Sequence, residues 1–135
     1  MSSYIKTYLV AFIIFIGIDF IWLGLVARDF YRDQIGFIMK DNFNMGVAVI
    51  FYLIFIVGLV FFVLSKAIAI ESWQFALFAG MFYGFITYAT YDITNLSTLK
   101  DWPTLLSIVD IAWGTVLCGA TSYLTYIIGL KLNFF

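Results

Sequence analysis

Polar positions interrupt this chain in only a few places. Between them run apolar blocks long enough to cross a bilayer. Tyr8–Ala27 is the first, twenty residues that span about 30 Å as a helix, the thickness of a bilayer core. Arg28–Asn44 follows and carries Arg28, Asp29, Arg32, Asp33, Lys40 and Asp41, with Phe30, Tyr31, Phe37 and Ile38 between them. Charged and apolar residues mixed in this way predict a short amphipathic helix lying in the membrane interface, or a plain amphipathic loop. Met45–Leu64 is the second block, without charge or strong polar group, and reads as a lipid-facing or packing helix. The third runs over 73–97, with Trp73 as an interfacial anchor, and the fourth over 104–130, opened by Pro103.

The expected fold is therefore all-α: one membrane domain over 1–135, a bundle of four transmembrane helices with both termini on the same side. The first block reads as a span rather than a cleaved leader. It is too long, Asp19 interrupts it, and no small-x-small site follows.

Two ridges recur every four residues. Ala76, Gly80 and Gly84 lead to Tyr88 and Asp92 on the third helix. Asp110, Gly114, Cys118 and Ser122 lie on the fourth. Ridges of small residues let helix backbones approach closely. Each ridge is small in the middle and acidic at one end. Antiparallel packing of the two helices would bring Asp92 and Asp110 to the same membrane face. A bundle this small leaves little interior, and the glycine ridge serves either the fold or a homodimer.

Composition narrows the chemistry. Hydrophobic residues make up 64% of the chain and charged residues 11%, against roughly 25% charged in soluble domains. Net charge is −1 without a basic cluster, so nucleic acid is not an expected partner. There is no histidine, and Cys118 is the one cysteine. A disulfide within the chain and a cysteine-based metal site are excluded, and neither metal nor cofactor is expected. Proton chemistry falls to Asp, Glu, Tyr or Lys. The flanking cations divide as Lys6, Lys66 and Lys131 against Arg28, Arg32, Lys40 and Lys100. That balance is too even to orient the chain. Either the positive-inside rule is weak here or the chain inserts in both orientations.

Three carboxylates interrupt the spans. Asp19, Asp92 and Asp110 each lie about 12–14 Å of helical rise from a loop charge on the same side of the membrane. No lysine or arginine lies within reach, and a carboxylate at the bilayer centre costs on the order of 2.5–3.5 kcal/mol. Each acid therefore needs a proton, hydrogen-bond donors, or access to water or a ligand. Donors stand one turn on: Trp22 after Asp19, Trp113 after Asp110, and Asn95 after Asp92. Tyr88, Thr94, Thr98 and Ser107 add hydroxyls. A short similarity between Asp19–Phe30 and Asp92–Trp102 suggests a duplicated two-helix unit.

The run Tyr91-Asp92-Ile93-Thr94-Asn95-Leu96, with Thr98-Leu99, Trp102 and Asp110-Ile111-Ala112-Trp113-Gly114, and with Asp19 to Gly24 upstream, resembles the bacterial integral-membrane family known as domain of unknown function 2177. The resemblance covers nearly the whole chain. It implies four membrane helices, a multi-pass place in the inner membrane, and no assigned activity.

Three functions fit these residues. An acid beside tryptophan suits an organic cation, by charge and cation–π attraction, so the first is a binding protein or transporter for a small cationic or amphipathic ligand. The candidate residues are Asp19, Trp22, Tyr88, Asp92, Asn95, Thr98, Asp110 and Trp113. The second is a structural or assembly subunit whose polar network only fixes helix packing. The third is an intramembrane enzyme on a lipid-like substrate, with Asp92 and Asp110 sharing a proton. Without histidine, a cysteine pair or a serine elbow, enzymatic function is the less expected.

Overall fold

A computed structural model describes residues 2–135. Among these residues every regular element is helical. The first helix, α1, spans Ser3–Ile21 and opens on Ser2, whose Oγ accepts from the Ile5 amide at 3.3 Å. A five-residue π turn, Trp22–Val26, extends it. The Ala27 amide donates to the Trp22 carbonyl at 2.7 Å across this turn. Beyond it α2, Arg28–Ile35, changes direction, and a 3₁₀ turn over Gly36–Ile38 follows.

Asn44 caps α3, Met45–Leu59, by accepting from the Val47 amide at 3.1 Å. A second π turn, Val60–Leu64, joins α3 to the short α4, Ser65–Ala69. This helical stretch is longer than the expected second span. A left-handed residue, Glu71 with φ 53°, ends it, and the Ser72 amide reaches back to the Ala67 carbonyl. That is the usual bond of a Schellman stop. Ser72 then caps α5, Trp73–Thr98. Pro103 precedes α6, Thr104–Lys131. Its fixed φ suits a helix entry, where the missing N–H costs nothing.

Among the described residues, three stretches are long and apolar enough to cross a membrane: Ser3–Val26, Met45–Ala69 and Thr104–Lys131. Helix α5 has the length, 26 residues, but is not among them.

Helices α5 and α6 form the tightest pair and run antiparallel. A Cβ added to Gly80 would stand 2.6 Å from Ser122 Oγ and 2.8 Å from the Cys118 carbonyl. One added to Gly84 would collide with the Gly114 carbonyl and lie 2.8 Å from Cys118 Cβ. One added to Gly114 would enter the Tyr88 ring. Each step of four residues up α5 is a step of four down α6. The same register brings Asp92 opposite Asp110. Ala76, at the start of the α5 ridge, is fully buried.

Helix α1 lies against α6 and α3, and the π turn of α3 packs on α5, α6 and α1. The core they enclose is Ala11, Phe15, Ile56, Leu59, Leu64, Ala76 and Leu117, all without solvent contact. The outward faces stay apolar, with Ile13, Ile54, Phe61, Phe82 and Val116 each more than half exposed. Apolar faces this extensive need lipid over them.

Candidate functional site

The three acids lie on α1, α5 and α6, and their environments differ. Asp19 is buried, 4% exposed, and both its oxygens are served. Trp113 Nε1 donates to Oδ1 at 3.1 Å, and the Tyr52 hydroxyl donates to Oδ2 at 2.8 Å. Asp110 is partly open. Its Oδ1 accepts from the Tyr31 hydroxyl at 2.6 Å, and that hydroxyl accepts from Trp22 Nε1 at 3.2 Å. The Trp22 and Trp113 rings stack at 4.3 Å, 9° from parallel, and join the two sets.

Sequence spacing assigns these donors differently. It gives Trp22 to Asp19 and Trp113 to Asp110, each on its own helix. The structure exchanges them, because α1 and α6 run in opposite directions. From Asp110 to Trp113 the chain moves one turn away from the α5–α6 turn, to the level of Asp19. From Asp19 to Trp22 it moves the other way, to the level of Tyr31 and Asp110. Asn95 is likewise not a partner of Asp92: it lies half-buried beside Tyr91. Thr98 is exposed, and its hydroxyl donates to the Thr94 carbonyl at 2.8 Å, within its own helix.

Two contributors stand outside the expected set. Tyr52 lies on α3, the helix expected to carry no strong polar group. Tyr31 lies on α2, among residues read as an apolar underside. Tyr52 had a signal, since its phenol is the one side-chain donor between Met45 and Leu64. Tyr31 had none, because its reach depends on the direction α2 takes after the π turn. Burial pushes the Tyr31 phenol up, and the adjacent Asp110 carboxyl adds to this, so it stays protonated and donating.

Asp92 is fully buried, and neither carboxyl oxygen meets a donor. The group within hydrogen-bonding reach is the Asp110 carboxyl. Two carboxylates offer each other no donor, so a bond between them needs a proton on one. The nearby polar groups serve the Asp92 backbone instead. Ser107 Oγ donates to its carbonyl at 3.2 Å and accepts from Trp102 Nε1 at 2.9 Å. This pair fastens the α5–α6 turn behind the acid. Among the described residues, no three His, Cys, Asp or Glu side chains are grouped to hold a metal ion.

A cavity of about 610 Å³ opens between α3 and α5 and ends at Asp110. Phe51, Phe55, Tyr88 and Tyr91 form its walls. Thr87 and Thr90 also line it, but their hydroxyls donate to the Tyr83 and Ile86 carbonyls of their own helix. Tyr88 meets Phe55 edge-on at 6.3 Å. The Asp110 carboxyl is the charged group of an otherwise aromatic and apolar chamber.

With this arrangement established, residues 4–127 match the family model described as "Predicted membrane protein (DUF2177)". The chain belongs to that family. Membership agrees with the apolar helices and their lipid-demanding faces: this is a DUF2177 membrane protein, embedded in a bilayer. No match was found among curated proteins or among solved structures.

Proposed function

We propose that this DUF2177 protein binds an amphipathic organic cation in the cavity between α3 and α5, with Asp110 as the counter-ion. One observation carries the reading: a single carboxyl closes an aromatic chamber that has no lysine or arginine in its lining. Aromatic faces attract a cation that has shed its water, and the carboxylate supplies the opposite charge. Asp92 gives the site its second property. A proton shared between Asp92 and Asp110 satisfies both carboxyls while the chamber is empty. An arriving cation replaces that proton, so binding competes with protons and release can be driven by them.

The reading includes a multi-pass place in a bacterial inner membrane, with four spans and both termini on one side. Two features support it. Helix α5 follows α6 in antiparallel register from Gly80 to Asp92, so it shares the depth of a helix able to span. Lys6 Nζ lies 5.7 Å from the Phe134 ring, which brings the ends of the chain together.

A structural role is favoured for Asp19 alone, because both its oxygens are occupied from within. The test uses tetraphenylphosphonium as probe, by equilibrium binding to the purified protein. Asp110→Asn is expected to weaken binding by about tenfold or more, a loss of about 1.4 kcal/mol, with the melting temperature unchanged or raised. Parent protein that releases protons on binding supports the exchange. Undiminished binding by Asp110→Asn would sink the reading.

A further inference from the structure

A second built cavity lies where the first membrane stretch ends. It holds about 440 Å³ and faces the side of α2 opposite Asp29 and Asp33. Arg28 and Arg32, one turn apart, line it together with Tyr31, and the pocket has no carboxylate in its lining. Leu23, Ile35 and Phe43 supply an apolar wall.

We propose that this pocket binds the phosphate of an anionic phospholipid. Guanidinium groups are planar forks of donors that match phosphate oxygens two at a time. Two of them on one helix face, with no carboxylate in the pocket lining, present two positive charges to an external anion. Their depth fits a headgroup, since Arg28 follows directly on the apolar stretch Ser3–Val26. The walls fit what a headgroup carries, because Leu23, Ile35 and Phe43 offer a surface to acyl chains. A free phosphate ion shares the headgroup's chemistry but makes no use of that apolar wall. Tyr31 borders this pocket and donates to Asp110, so an occupant here touches the residue that holds the acid of the cation chamber. The lipid site does not depend on that chamber's function.

The test is native mass spectrometry of the full chain after exchange into mixed micelles with equal parts phosphatidylglycerol and phosphatidylcholine. The parent is expected to retain phosphatidylglycerol over phosphatidylcholine by about tenfold, from two cations near an anionic headgroup. Arg28→Gln/Arg32→Gln is expected to lose the preference, while Lys40→Gln, outside the pocket, keeps it. Arg28→Lys/Arg32→Lys preserves the charge and the fold and is expected to lose about threefold, the share due to forked geometry. Equal retention of both lipids by the parent overturns the proposal, as does a preference that survives in the glutamine pair. Inorganic phosphate that strips the bound lipid at millimolar concentration overturns the lipid assignment in favour of the free anion.

Discussion

Asp19 and the Asp92–Asp110 pair are carboxyls in one bundle, yet they have been treated in opposite ways. Asp19 is enclosed, and a donor from α3 and another from α6 meet its two oxygens. Asp92 is enclosed as fully, yet no donor meets it, and it faces a second acid that borders a chamber. The first arrangement ties three helices together. The second withholds satisfaction, and a membrane interior has no water with which to supply it. Burial alone therefore does not separate these acids; the number of donors that the fold brings to each does.

The largest effect expected from this contrast is at Asp19. Asp19→Ala strands the Tyr52 hydroxyl and the Trp113 N–H, each costing about 1–3 kcal/mol when buried without a partner. A total loss of about 2–6 kcal/mol is expected in thermal or denaturant unfolding of the detergent-solubilised protein. A variant as stable as its parent would break the contrast at its structural end.

Asp92→Asn should move stability the other way. The new amide can donate to Asp110, and a gain of about 0.5–1.5 kcal/mol is expected. Proton release on cation binding should fall in the same variant, as measured in weakly buffered solution. Destabilisation would mean that Asp92 is as structural as Asp19.

The smallest effect is at Tyr31. Tyr31→Phe removes one donor from Asp110 and is expected to cost about 0.5–1 kcal/mol of stability. With its internal partner gone, Asp110 should bind tetraphenylphosphonium a few-fold more tightly. Weaker binding would make Tyr31 part of the chamber rather than its competitor.

The apolar blocks are legible because a membrane helix must hide its backbone over a fixed length, and that demand is written residue by residue. α5 is the block whose polar residues blur that signal. The acids are legible for the same reason in reverse, since each interrupts such a block. Their partners are not. Whether Trp113 serves Asp110 or Asp19 depends on the relative direction of two helices and the depth at which they cross, and neither is encoded within three residues. Spacing along one helix finds neighbours, whereas these donors come from across the bundle. The π turn over Trp22–Val26 is invisible for a related reason: no proline or glycine pair demands it, and it decides where α2 carries Tyr31.

The stacked indoles of Trp22 and Trp113 have an optical consequence. Two indoles stacked at 4.3 Å couple their electronic transitions, and wherever their in-plane transition moments are skewed the pair gives a coupled signal in circular dichroism. One ring rides on the end of the first membrane stretch and the other on α6. The protein thus carries its own reporter of whether those two helices touch, and the signal would fade as they part even while every helix remained intact.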